Sequence, residues 1–466
     1  LSRRMTGLFA GIGGLELGLH EHGWETELLC EIDTGAQAVL RARFPDTPLT
    51  SDVTKLRSLP ADTELVAAGF PCQDLSQAGA TAGITGARSG LVDEVFRLVT
   101  RRKGPRWLLL ENVPFMLQLG RGAAMRHVTT ALEDLGYRWA YRVVDARSFG
   151  LPQRRLRVLM LASRTEDPRE VLFADDAGPL EMGASTEHPC GFYWTEGLRG
   201  LGWAVDAVPT LKGGSSLGIA SPPAVRTLAG ELVTPGITDA ERLQGFDPDW
   251  TLPAVGIPGV RAGHRWKLVG NAVSVRMSTW VGHRLDNRLP YDGASDTPLQ
   301  PGDAWPMAAW SGPDRVAHKA AVSTWPLHAP YEHLNGFLDD TKLLSARATA
   351  GFLSRARQAK LRFEPGFLDI VAAHLDRMGG DPKRLTLAAA AKASPLDPAD
   401  SMELVEGGTV DLQAEDLRGQ DPRELDPAGS IDRHTGTESQ EPAAGVGRQR
   451  QGRTASAVGR SKGRAA

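Results

Sequence analysis

An α/β fold built on a Rossmann-like, mostly parallel sheet is predicted from residue 5 to about 163 by two observations. Short apolar runs at Met5–Phe9, Glu27–Glu31, Leu65–Phe70, Trp107–Glu111 and Arg157–Ala162 alternate with amphipathic stretches, the rhythm of βαβ units. The first run leads into a glycine-rich turn, Phe9-Ala10-Gly11-Ile12-Gly13-Gly14, directly ahead of a helical run at Leu15–His20. Between the later runs, Leu91–Arg102 places Leu91, Val95, Leu98 and Val99 on one helical face, and Gly104-Pro105 ends it. The rhythm stops after residue 163. Residues 164–230, rich in Gly, Pro and Trp, read as a small irregular second domain. Residues 231–288 return to the first domain with helical patterning at Thr238–Gln244 and Val269–Leu285. Residues 289–397 form an extension that is partly helical over Leu343–Arg377. Residues 398–466, acidic and then Arg-rich, are expected to be a disordered tail.

The 466 residues carry a net charge of −3, so the global basic signature of many nucleic-acid binders is absent and any nucleic-acid surface must be local. Cys30, Cys72 and Cys190 are too few and too scattered for a disulfide framework or a zinc site, which predicts a reducing, cytoplasmic setting and no structural metal. No apolar run approaches the length of a membrane span. Residues 1–4, ahead of Met5, carry no functional weight in this reading.

Chemistry-bearing residues gather at the ends of the predicted strands, where open α/β sheets bind ligands. The turn at Gly11–Gly14 lets a ligand approach backbone N–H groups at a helix start. Glu31 ends the second strand with a carboxylate suited to both hydroxyls of a ribose. Asp52 can accept from an adenine amino group or, equally, cap a helix over Val53–Arg57. The third long run delivers Gly69-Phe70-Pro71-Cys72-Gln73-Asp74-Leu75-Ser76, with a thiol held in a Pro-Cys step. The next ends in Glu111-Asn112-Val113-Pro114, a carboxylate on the same edge.

Together these segments resemble the bacterial cytosine-5 DNA methyltransferases over about residues 5–285. Phe9–Gly14, Glu31, Asp52, Gly69–Ser76, Glu111–Val113, Gln153–Arg157, Arg242–Phe246 and Gly270–Val273 follow in the family's order. The resemblance implies an S-adenosylmethionine-dependent methyltransferase sheet, with the target recognition domain at 164–230, acting on C5 of cytosine in duplex DNA. It implies Phe9 stacking on adenine, Gly11, Gly13 and Gly14 near the methionine part, Glu31 on the ribose and Asp52 on the adenine amine. Ile32, Phe70, Pro71 and Asn271 belong to the same pocket. Cys72 is then the nucleophile that adds to C6, and Glu111 the acid at N3, with a raised pKa expected. Arg155 and Arg157 hold O2 and the flanking phosphates. Gln73 and Ser76 close over the extruded nucleotide, and Gln153 and Lys212 contact DNA. A monomer paired with a cognate restriction endonuclease or defence system is the expected setting.

The sequence departs from the family in two places. Pro235–Glu241 lacks the usual Pro-Arg-Glu signature, and Ala272 stands where serine is common. A dinucleotide oxidoreductase would explain the glycine turn and Glu31 but would leave Cys72, Glu111 and the arginines without roles. A tRNA-modifying relative shares the chemistry, and the recognition segment does not separate it from a DNA enzyme.

Overall fold

The computed structural model describes residues 3–71, 90–100, 104–198, 200–213, 221–261 and 263–381. Four of the five predicted strands stand in its parallel half, joined there by a short strand at Leu49–Thr50 that the sequence did not mark, while the fifth, Arg157–Ala162, runs antiparallel to its neighbours. β1 (Arg3–Leu8), β2 (Trp24–Cys30), β3 (Leu49–Thr50), β4 (Leu65–Gly69) and β5 (Trp107–Asn112) stand in the spatial order β3-β2-β1-β4-β5, each parallel to its neighbours. β1 begins at Arg3 rather than Met5, with Arg3 in register with Trp24. α1 (Gly14–His20), α2 (Thr34–Arg43), α3 (Leu91–Val99) and α4 (Ala123–Asp134) connect and cover these strands. Alternate residues face opposite sides. Leu8, Val66, Ala68, Leu108 and Leu110 pack with α3 and α4, while Met5, Leu65, Ala67 and Leu109 pack with Leu15 and Leu19 of α1. Burial on both faces is the physical reason β4 reads as an unbroken apolar run.

The other half of the sheet is antiparallel. β6 (Arg138–Asp145) and the short β7 (Gln153–Arg154) lead to β8 (Leu156–Ser163), which lies antiparallel to both β5 and β6. β6 has no counterpart among the predicted strands because two arginines interrupt its pattern. Arg142 is nonetheless wholly buried: it donates to the backbone carbonyls of Ser323, Leu172 and Asp175 and pairs with Asp176 at 2.7 Å.

Beyond β8 the predicted boundaries need correction. Residues 164–230 do not form one body, since α5 (Arg169–Leu172) buries Val171 and Leu172 in the core of the large sheet. The small domain begins with β9 (Cys190–Phe192) and β10 (Ala204–Val205). β11 (Val208–Pro209) instead pairs with β7. β12 (Ala224–Arg226) and β13 (Leu232–Pro235) complete a sheet ordered β10-β9-β12-β13, and a later strand extends it. Three helices follow: α6 (Ile237–Leu243) packs Ala240 and Leu243 with Val208 and Val225, α7 (His264–Asn271) packs Leu268 with Val39 and Leu40 of α2, and α8 (Val275–Asp286) packs Met277, Trp280 and Val281 into the core of the large sheet.

The expected 289–397 extension divides in two. β14 (Thr297–Pro298), β15 (Ala308–Ser311) and β16 (Ala317–Lys319) extend the large sheet beyond β6. The short α9 (Leu334–Phe337) is followed by β17 (Thr341–Leu343), which adds to β13. α10 (Ala346–Gln358) and α11 (Phe367–Arg377) then pack Phe352, Phe367 and Val371 onto Phe192, Ala224 and Leu232. The small domain is thus made of two chain segments far apart in sequence. The predicted tail, 398–466, lies outside the described residues.

The predicted helix over Val269–Leu285 is broken between α7 and α8, where Ala272 is extended with ψ 148. The Val275 N–H donates to the Gln244 carbonyl at 2.9 Å in place of a helical partner. The break lets the chain press on the glycine turn. A Cβ at Gly14 would lie 2.3 Å from the Val273 carbonyl oxygen, and one at Gly18 would lie 2.1 Å from Ser278 Oγ, so the approach of α8 to α1 requires glycine at both positions.

Candidate active site

Two groups of side chains meet at the C-terminal edge of the parallel strands. The first surrounds the glycine turn. Phe9 leaves β1 with φ 55 and Gly11 follows with φ 57, a left-handed conformation that is rare for a phenylalanine. Glu31 reaches across from the end of β2. Its two carboxylate oxygens accept from the N–H groups of Gly11 and Asp33, each at 2.8 Å. Burial outweighs these bonds and holds the Glu31 carboxyl above its ordinary range. Each oxygen keeps acceptor capacity for a further donor. Beside it Ile32 is 74% exposed, a large apolar side chain with nothing over it among the described residues. A Cβ at Gly11 would meet nothing within 4 Å, so the turn is open on that side. A carboxylate with spare acceptors, an open backbone turn and an uncovered apolar side chain fit a nucleoside-bearing cofactor. Asp52 is engaged differently, as an N-cap: it accepts from the Thr54 N–H at 3.0 Å and the Thr54 hydroxyl at 2.7 Å, and it pairs with Lys55.

The second group centres on Glu111. Gly69 and Glu111 are register partners across β4 and β5, so the carboxylate stands where β4 hands the chain to Phe70 and Pro71. Asn112 fixes that handover, donating its Nδ2 to the Phe70 carbonyl at 3.0 Å and accepting the Val113 N–H at 2.9 Å. Glu111 is only 8% exposed, and its Oε1 lies 2.9 Å from Arg157 Nε. Burial raises the Glu111 pKa, and the nearby guanidinium groups of Arg157 and Arg155 oppose that shift without cancelling it. A carboxyl held this way can carry a proton and give it up to a base placed before it. Cys72, Gln73 and Ser76 lie outside the described residues; the last described position before them is Pro71, which is exposed.

Several predicted contacts take other positions. Arg155 is 0% exposed and donates to the carbonyls of Leu211, Gly270 and Ala272 at 3.3, 3.2 and 2.6 Å. It ties the α7–α8 break to the chain after β11 and presents no surface to a phosphate. Gln153, expected on DNA, is equally buried. Its Nε2 donates to the Leu243 carbonyl at 2.8 Å and its Oε1 accepts the Leu211 N–H at 3.0 Å. Lys212 lies 3.8 Å from the centre of the Tyr193 ring and pairs with Glu196. Asn271 is exposed at the end of α7 and lies against Gly213; Val273 is the residue of this segment that reaches Gly14 and Gly69. Asn112 and Val273 were visible in the sequence only as members of their motifs.

The profile of C-5 cytosine-specific DNA methylases matches residues 4–184. The Type II methyltransferase M.BsuFI of Bacillus subtilis is 30% identical over 305 residues, covering 60% of this chain and 72% of that protein. The Type II methyltransferase M2.BsuMI of Bacillus subtilis strain 168 is 48% identical over 387 residues, covering 80% of this chain and 98% of that protein. The chain belongs to the C-5 cytosine-specific DNA methylase family. As a DNA (cytosine-5-)-methyltransferase, it places the carboxyl of Glu111 and the glycine turn on one sheet edge, as the sequence predicts. No helix among the described residues is long and apolar enough to cross a membrane.

This methylase also buries a carboxyl that no motif announces. Glu16, in the first turn of α1, lies over Gly7 of β1, where a Cβ would come within 2.0 Å of its Oε1. Neither oxygen has a hydrogen-bond partner among the described residues, and burial lifts the carboxyl to about 8. Between the ordinary value of 4.5 and about 8, the folded chain keeps a proton that the unfolded chain has lost. Stability therefore falls as pH rises across that window, by up to about 1.4 kcal/mol per pH unit. Glu16→Gln should remove this dependence. Relative to the parent, the variant should gain roughly 2–4 kcal/mol at pH 8.5 and little at pH 4.5, read from urea midpoints. Equal differences at the two pH values would show that Glu16 does not hold the proton.

Proposed function

We propose that this methylase moves a methyl group from S-adenosylmethionine to C5 of a cytosine within a specific duplex DNA sequence, as the modification enzyme of a Type II restriction-modification system. The observation that carries the reading is the buried Glu111 carboxyl, 2.9 Å from Arg157 Nε and beside the β4 exit that leads to Cys72. Cytosine C5 is too poor a nucleophile to take a methyl group unaided, so a thiolate must first add to C6. Cys72 is assigned that addition. The Glu111 carboxyl, braced by Arg157, donates to N3 as charge builds on the ring and accepts from the exocyclic amine. After methylation a base removes the C5 proton and the Cys72 sulfur leaves C6, which restores the aromatic ring. A base stacked in B-form DNA cannot reach a thiol at a sheet edge, so the target cytosine must be extruded.

Glu31, with acceptor capacity left on both oxygens, is assigned to the cofactor ribose, and Ile32 and Phe9 to the faces of its adenine. S-adenosylmethionine, when bound, supplies an electrophilic methyl group. The small domain is the assigned reader of sequence, assembled from β9, β10, β12, β13 and β17 with α10 and α11. The resemblance to Type II methyltransferases supports duplex DNA as substrate and a partner nuclease that cuts the same site. Incubation with methyl-labelled S-adenosylmethionine and either duplex DNA or tRNA tests the assignment. Label is expected on cytosine in duplex DNA. Label on tRNA alone, or on neither, would overturn it.

A further inference from the structure

We infer that His188, Asp206 and His333 form a binding site for a divalent metal of the zinc class, independent of methyl transfer. The three residues come from separate segments: His188 precedes β9, Asp206 stands in the turn between β10 and β11, and His333 precedes α9. Asp206 holds a left-handed backbone, φ 50, which is costly for an aspartate, and its side chain is 1% exposed. Oδ1 accepts the Leu334 N–H at 2.9 Å, which leaves Oδ2 to face two imidazoles. His333 Nδ1 lies 2.5 Å from that oxygen and His188 Nδ1 lies 3.5 Å from it. The two rings are parallel within 9°, with centres 5.8 Å apart. All three donor atoms fall within 4.8 Å of one another.

The metal-free alternative is a carboxylate that accepts hydrogen bonds from two histidines. It accounts for the His333 contact but not for His188, whose 3.5 Å approach is long for a hydrogen bond. In a tetrahedral site with bonds of about 2.1 Å, neighbouring donor atoms lie about 3.4 Å apart. His188 and Asp206 already stand at that separation. His333 must withdraw by about 1 Å to match it, and its side chain is 68% exposed and has room to do so. Two imidazoles and one carboxylate are a donor set that suits zinc, with a fourth position left for water. Binding requires each Nδ1 to be unprotonated, so both rings would carry their proton on Nε2.

The site would clamp the small domain to the chain that precedes α9. The Asp206 carbonyl accepts the Tyr331 hydroxyl at 2.7 Å, and two residues later β11 pairs with β7 beside Arg155. A metal here would therefore act on stability rather than on the reacting base.

The test uses the full chain stripped with a chelator. Zinc titrated into it by calorimetry should bind at one equivalent and raise Tm, and cobalt should give the visible bands of a tetrahedral site. His188→Ala and His333→Ala should each weaken zinc binding by at least about 10-fold. His333→Ala also removes the close contact to the buried Asp206 carboxylate, so each variant is compared with itself with and without zinc, and the zinc-induced rise in Tm seen in the parent should be lost. Absence of stoichiometric binding to the parent would overturn the proposal. So would binding that survives both substitutions unchanged, which would place the metal on other residues.

Discussion

Glu111→Gln is expected to lower kcat for methyl transfer by about 10²- to 10³-fold while leaving S-adenosylmethionine affinity within about threefold of the parent. The amide keeps the size and much of the hydrogen-bonding shape of the acid but cannot release a proton to the base. The effect should fall on kcat because the proton is needed as charge builds on the ring, and Glu31, which is assigned to the cofactor, is untouched. The pH profile carries a second signature. Burial raises the Glu111 pKa, so the protonated form persists above the usual carboxylate range. In the parent, kcat/KM should decline on the alkaline side as Glu111 loses its proton, and the variant should lack that limb. A variant within threefold of the parent in kcat, with the same alkaline limb, would remove Glu111 from the chemistry.

Arg155→Ala is expected to cost about 3–5 kcal/mol of stability, read as a lowered urea midpoint. Its guanidinium is fully buried among the carbonyls of Leu211, Gly270 and Ala272, and its charge also stands near Glu111. Removing it leaves three buried acceptors without a donor and opens a cavity. Arg155→Lys should recover part of the loss, because an ammonium keeps the charge but cannot span three carbonyls in one plane. A cost below about 1 kcal/mol for the alanine variant would mean that water or a neighbour takes over those carbonyls, and that Arg155 does not hold the α7–α8 break.

Much of the site was legible in the sequence because it depends on local signals. An apolar run buried on both faces marks a parallel strand, and glycines at 11, 13 and 14 mark a turn that backbone must approach. A carboxylate at a strand end, as at Glu31 and Glu111, marks a candidate ligand group at the edge where open α/β sheets bind ligands. What escaped depends on partners distant in the chain. Gln153 was expected on DNA and Arg155 on the base and the flanking phosphates, because nothing nearby in sequence announces the carbonyls of Leu243, Leu211 and Gly270 that they bond instead. Arg142 hid β6 for the same reason, since its partners lie at Leu172, Asp175 and Ser323. The small domain was misjudged because strands of two to four residues carry almost no periodicity, and β17 with α10 and α11 joins it from more than a hundred residues away. Asp52 showed the opposite case: its helix-capping alternative, readable from Thr54 and Lys55, is the contact the structure makes.

The most direct test of the central claim uses a duplex that carries 5-fluorocytosine at the target position. Fluorine at C5 cannot leave as a proton does, so the ring stays bonded to the attacking sulfur after methyl transfer. With S-adenosylmethionine present, a denaturation-resistant complex of one chain and one duplex should form, its peptide cross-link should map to Cys72, and Cys72→Ser should abolish it. A complex that forms equally in Cys72→Ser, or a parent that methylates ordinary duplex yet is never trapped, would contradict the account.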